Sequence, residues 1–177
     1  MNRRTMPNEA RKDRRPLIAA ATLLGIGLGG FFDGILFHQL LQSHNMLSGA
    51  DYYPKTGLPA EKIIVNMEIN MFWDGLFHAL TWIMTVAGLA MLWRAGQRSD
   101  VPWSTRTLIG GISLGWGLFN LVEGVIDHHI LHIHHVTETE NHLVWDLTFL
   151  GSGVVLIVLG VALISKARDD SVSRGTT

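Results

Sequence analysis

The sequence predicts an all-α integral membrane protein: a four-helix bundle built from two parallel helical-hairpin repeats, with both termini in the cytoplasm. Three observations predict it. Long stretches carry no charge: Leu17 to Phe32, Ile83 to Leu92 and Val154 to Ile164 lack Asp, Glu, Lys and Arg altogether. Basic residues gather in alternate connecting segments. Two motifs, one joining an acid, a glycine and a histidine and one running from Glu to Trp-Asp, each occur twice, in the same order.

Apolar runs of about 20 residues are long enough to cross a hydrocarbon core of about 30 Å. Residues 1–16 form a basic tail, and the first span follows from about Leu17 to Leu41. A basic segment before an apolar run has the form of a signal peptide. This run is long for a signal core and no small-residue cleavage site follows it, so it reads as a retained span. The second span covers about Ile64 to Trp93, the third Thr107 to Leu131 and the fourth Leu143 to Ser165. The membrane domain is thus 17–165, with repeat one at about 17–93, repeat two at about 107–165 and a tail at 166–177. Helices are expected because they satisfy their own backbone polar groups in lipid.

Orientation follows from the cations. Arg3, Arg4, Arg11, Lys12, Arg14 and Arg15 precede the first span, Arg94, Arg98 and Arg106 lie about the middle loop, and Lys166, Arg168 and Arg174 follow the last span. Only Lys55 and Lys62 lie on the other side. The excess of Lys and Arg on cytoplasmic loops places both tails and the middle loop inside. The Gln42 to Lys62 loop and the turn near His134 then face outward. Trp73 and Trp145 fall toward the outer interface, Trp93 and Trp103 toward the inner one, as aromatic belts would. The net charge of −1 offers no field for nucleic acid, and the absence of cysteine excludes disulfides and thiolate metal sites.

The internal match gives the repeat its content. Asp33-Gly-x-x-x-His38 corresponds to Glu123-Gly-x-x-x-His128, and the alignment continues without a gap: Gln39, Gln42, His44 and Asn45 meet His129, His132, His134 and His135. "EINMFWD" (Glu68 to Asp74) likewise meets "ENHLVWD" (Glu140 to Asp146). Gly25 and Gly29, Gly30 and Gly34, and Gly111 and Gly115 are each four apart, a spacing that lets helix backbones approach closely.

At about 1.5 Å per residue, Asp33 and Glu123 lie about 24 Å from the inner starts of their spans. Asp74 lies about 15 Å, and Asp146 about 5 Å, inside the outer starts of theirs. If the repeat holds, those two depths should agree, so one outer boundary is expected to shift. All four carboxylates fall in the outer half, with His38, His78, His128 and His142 within about a turn. Acids crowded into one poorly hydrated layer must be protonated or neutralised by cations, and no Lys or Arg lies within a span to do it.

Oxygen and nitrogen donors without sulfur suit iron, manganese, zinc or copper(II). The predicted ligands to a transition metal are Asp33, His38, Asp74, His78, Glu123, His128, His129, His132, His142 and Asp146, with Asp127, Glu68 and His44 in support. Four carboxylates and several histidines on four helices make up the inventory of carboxylate-bridged dinuclear sites. Asp74 with His78, and His142 with Asp146, share a helix face at a spacing of four. Asp33 with His38, and Glu123 with His128, are five apart, or about 140° on an ideal helix. Either the two residues serve different positions, or a π-bulge beside the glycine aligns them. Met46, Met67 and Met71 offer thioethers to copper(I), although packing is the ordinary role of methionine. "HHILHIHH" (His128 to His135) invites comparison with desaturase histidine boxes, but it is a single cluster on the outer side. His134 and His135 sit near the outer turn as solvated residues or a metal-collecting lip.

The stretches "GFFDGILFHQLLQ", "MFWDGLFHAL", "EGVIDHHILHIHH" and "HLVWD" resemble a bacterial family of four-span predicted membrane proteins with a domain of unknown function, over about residues 15 to 167. The resemblance implies a bacterial inner-membrane protein and supplies no activity. The expected partners are the bilayer and a metal ion, with a second copy or a periplasmic protein as further candidates. Metal handling or metal-dependent redox chemistry is one function; an oxygenase or hydrolase acting on lipid or a small apolar substrate is another. A purely structural bundle, proton or ion translocation, and haem binding are the competing classes. Translocation is disfavoured by the apolar inner halves.

Overall fold

The computed structural model describes residues 12–49 and 60–173. The tail through Arg11, Lys55 in the long loop, and Arg174 lie outside them. Among the described residues all regular structure is helical. In chain order it comprises α1 (Arg15–Asp33), a π segment π1 (Gly34–Leu40), α2 (Ala60–Gly96), α3 (Thr105–Glu123), a second π segment π2 (Gly124–Ile130) and α4 (His142–Ser173).

Local chemistry explains the starts and stops. Proline opens α1, where its missing N–H costs nothing. Ser104 caps α3 by accepting the Thr107 N–H at 3.2 Å. Both π segments close alike: Leu41 N–H donates to Leu36 at 2.8 Å and Leu131 N–H to Ile126 at 2.8 Å. The next residues, Gln42 and His132, take left-handed φ values of 49° and 50° and turn the chain out of the helix.

Four helices are long and apolar enough to cross a membrane: Arg15–Leu40, Lys62–Gly96, Thr105–Ile130 and His142–Ala167. They pack as a row rather than a square. α1 and α3 pack together in the middle, α2 rests on α1 and α4 on α3; α2 and α4 do not touch among the described residues. Half of the most apolar stretch of α1 is therefore buried (50%), against 11% for α2. The outward faces of α2 and α4 present Leu76, Leu80, Trp82, Ile83, Val155 and Val158, a surface suited to lipid.

Glycine sets the α1–α3 distance. A Cβ on Gly25 would strike the Ile112 carbonyl, and one on Gly115 the Thr22 carbonyl. Side chains at these two positions would force the central pair apart.

The outer boundary expected to shift does not: Asp74 and Asp146 lie at different distances from the starts of their helices. Asp74 is the fifteenth residue of α2 and Asp146 the fifth of α4. The two carboxylates nevertheless sit at one level, as their partners show below. α2 simply runs about ten residues farther out than α4.

Candidate metal centre

The site is built where the two π segments end their helices. A π turn repeats at five residues rather than four. It therefore brings Asp33 and His38 onto one face, with His38 Nε2 3.2 Å from Asp33 Oδ2. The second half repeats the arrangement with Glu123, π2 and His128.

The other ring nitrogen of each histidine meets a carboxylate from the flanking helix. His38 Nδ1 lies 2.9 Å from Asp74 Oδ1, and His128 Nδ1 lies 3.2 Å from Asp146 Oδ1. Both carboxylates are held in turn by the loops. Asp74 accepts the Met46 N–H at 2.8 Å and the Asn45 amide at 2.9 Å. Asp146 accepts the Val136 N–H at 2.9 Å and His135 Nδ1 at 2.7 Å.

Two further histidines descend from the loops and exchange partners across the molecule. His44 Nδ1 donates to the Val136 carbonyl and His134 Nδ1 to the Met46 carbonyl, each at 3.0 Å. Their rings stack with centroids 4.7 Å apart and planes within 4°. Burial, then the neighbouring His134 and His38, pushes His44 down to about 3, and burial also depresses His134. Both rings are therefore neutral at physiological pH. A carbonyl can only accept, so each Nδ1 carries the proton and each Nε2 keeps its lone pair.

Asp33 Oδ2, both Glu123 carboxylate oxygens, and the Nε2 atoms of His38, His44, His128 and His134 are all buried without a hydrogen-bond partner among the described residues. An orphaned buried polar atom costs about 1–3 kcal/mol, and native proteins rarely tolerate one. Here six residues present such atoms to one another. Three overlapping triads have ligand atoms within 4.8 Å of each other: His38, His44 and His134; Glu123, His128 and His134; Asp33, His38 and Glu123. Imidazole nitrogens whose opposite N–H is pinned by carboxylate or carbonyl are what a metal centre requires of its histidines. The donor set of nitrogen and carboxylate oxygen suits iron, manganese, zinc or copper(II).

Of the residues singled out in the sequence, the structure brings Asp33, His38, Glu123 and His128 together in the buried cluster. Asp74 and Asp146 stand one step back, orienting His38 and His128. His44, expected in support, lies in the buried cluster with His38 and His134. His134, read from sequence as a residue of the outer turn, is fully buried there. The remaining candidates lie elsewhere. His78 is half-buried, with Nδ1 on the Asp74 carbonyl at 2.6 Å, and packs beside Gly34. His129 bonds the Gly124 carbonyl at 2.7 Å. His132 is exposed, and His142 bonds the Thr139 carbonyl at 3.2 Å. Asp127 is half-buried, and Glu68 is exposed on α2, away from the cluster.

Fold and site together define a multi-pass helical membrane protein with a buried histidine–carboxylate layer at one end of its central helix pair. The chain belongs to the family described as "Predicted membrane protein (DUF2243)", which matches residues 20–167. No curated protein and no solved structure matches it.

Proposed function

We propose that the protein is an integral membrane metalloprotein whose buried layer binds one or two transition-metal ions, for metal handling or metal-dependent redox chemistry. A single observation carries the reading: six buried residues aim otherwise unpartnered donor atoms at one another, while the far nitrogens of His38, His44 and His134 are hydrogen-bonded and that of His128 lies 3.2 Å from Asp146. Protonation alone is a poor substitute, because a proton on one Nε2 satisfies at most one neighbour. Glu123, His128 and His134 would hold one ion, and His38 would hold a second, with His44 and His134 or with Asp33 and Glu123; the triads overlap, so two ions would share ligands. Two histidines with one carboxylate is a donor set used by non-haem iron and by zinc. The family resemblance supports a bacterial inner-membrane location, and the one-sided distribution of Lys and Arg supports this layer facing the periplasm.

Elemental analysis of protein purified without chelators is expected to find about two equivalents of one transition metal per chain, reduced by at least one in His44→Ala or Glu123→Gln. Metal at background level, with no thermal stabilisation by added iron, manganese, zinc or copper, overturns the proposal.

A specific observation favours a catalytic version. An apolar cavity of about 340 Å³, walled by Phe32, Phe37, Trp116 and Trp145, reaches Asp33. Another of about 370 Å³, walled by Phe77, Leu80 and Phe119, reaches Glu123. Each ends on a donor carboxylate, which suits an oxygenase or hydrolase that takes a small apolar molecule from the bilayer. A metal-dependent absorption spectrum that responds to oxygen supports this reading, and rapidly exchanging metal with an unresponsive spectrum supports handling.

A further inference from the structure

The two halves agree at the buried layer and part company at its rim. Gln42, Asn45 and Asn70 of the first half correspond to His132, His135 and His142 of the second. Three amides on one side stand against three imidazoles on the other. Amide and imidazole fill similar space and both hydrogen-bond, and the scaffold uses them interchangeably. Asn45 donates to Asp74 at 2.9 Å just as His135 donates to Asp146 at 2.7 Å. Structural support therefore does not explain why the second half carries imidazoles. What imidazole adds is a nitrogen lone pair, a much better donor to a transition metal than an amide oxygen.

The three rings form a group. The His135 centroid lies 4.1 Å from that of His142 and 5.9 Å from that of His132. Two imidazoles on one tetrahedral ion, at metal–nitrogen distances of about 2.0–2.1 Å, hold their centroids about 5 Å apart. His135 and His142 each engage Nδ1 on a protein acceptor and so have Nε2 available. His132 is exposed, and His135 and His142 are half-buried, so the group is open to solvent. Charge favours a cation there: residues 131–141 contain Glu138 and Glu140 and neither Lys nor Arg.

One side chain separates this rim from the interior. Asp146 holds His135 with Oδ2, at 2.7 Å, and faces His128 Nδ1 with Oδ1, at 3.2 Å. We infer that His132, His135 and His142 form a second, exposed transition-metal site, of low affinity, that receives ions from the aqueous phase and passes them to the buried layer beside Asp146. The passing step rests on the proposed buried centre; the rim site does not.

The molecule supplies its own control. The variant H132Q/H135N/H142N installs the amides that the first half already carries, and the amide introduced at position 135 can still donate to Asp146. Full-length protein in detergent, stripped of metal, is titrated with cobalt(II) and followed by ligand-field absorption. Wild type is expected to bind one more equivalent than the variant, weaker than the rest and rapidly exchanging. At limiting cobalt the buried equivalents are expected to load at least tenfold more slowly in the variant, to the same final number. His132→Gln alone, at an exposed position, is expected to slow loading about threefold, and it serves as the test should the triple variant fail to fold. Equal stoichiometry and equal loading rates overturn the inference. If the weak equivalent disappears in the variant but no tighter equivalents exist in wild type, the rim site stands and the buried centre falls.

Discussion

The buried layer and the rim above it are built by the same two halves of the chain, yet only the layer is symmetric. In the layer each element has its counterpart: Asp33 and Glu123, His38 and His128, His44 and His134, with Met46 and Val136 exchanging carbonyls for imidazole N–H groups. At the rim, amides face imidazoles. The difference teaches where the chemistry constrains the chain. On the proposed reading, paired donors need similar frames, and the layer keeps residue chemistry across the two halves even where Asp33 is matched by Glu123. On the proposed reading, delivery to the layer uses the mouth that carries imidazoles, and the mouth lined by Gln42, Asn45 and Asn70 lacks them.

The sharpest way to break this comparison is to remove the ions. A ligand that binds only the folded state stabilises it by about 4 kcal/mol at a thousandfold excess over Kd. Chelation is therefore expected to produce a large fall in the thermal midpoint, and His38→Asn and His128→Asn to reproduce most of it. The test of symmetry is that the two substitutions cost the same metal and the same stability within about threefold in Kd. Loss confined to one half shows the layer to be mononuclear.

Next in size are the carboxylates that orient the imidazoles. Groups of this kind typically contribute 10- to 100-fold in metal affinity. Asp74→Asn and Asp146→Asn are each expected to weaken binding by about that factor while leaving stoichiometry intact at saturating metal. The measurement is a competition titration against a chelator of known affinity. Abolished binding at saturating metal, in either variant, would move that aspartate into direct contact with the ion.

Legibility in the sequence followed periodicity. The four helices stood out because charge-free runs have no other use in lipid. Asp33, His38, Glu123 and His128 stood out because an acid and a histidine recurred beside a glycine. Whether the spacing of five united or separated them was open, since it turned on a π turn that hydrogen-bond geometry decides. Residue counting puts Asp74 and Asp146 in the outer half, but their contact with His38 and His128 depends on an inter-helix distance of about one hydrogen bond. Counting misled on their relative depths, because α2 projects farther than α4 and helix starts are poor depth markers. His134 was hidden for a different reason. It lies in an irregular turn, where no period reports direction, and a loop that folds back into the bundle is invisible to arguments from depth. The one available signal was its match with His44, which assigned both residues the same fate without saying what that was.

The smallest expected effect comes from making the rim symmetric. Gln42→His with Asn45→His gives the first half two of the three imidazoles of the second. Both changes suit the local backbone. Residue 42 has φ 49°, close to the 50° that His132 already adopts, and histidine is among the residues that accept the left-handed region. An imidazole at position 45 can donate to Asp74 as His135 does to Asp146. Gln42 is exposed, where a substitution moves stability by about 0.5 kcal/mol or less, and the half-buried position 45 keeps a donor to Asp74, so the thermal midpoint is expected to hold. The mouth they enter is a cleft of about 570 Å³ that also presents Met67 and Met71. The expected result is one additional weak cobalt equivalent and up to about a twofold faster loading of the buried layer, because ions then have two entrances. Unchanged stoichiometry and rate, with the fold intact, would mean that imidazole at the rim serves something other than metal capture, and the contrast between the two mouths would need a different chemistry.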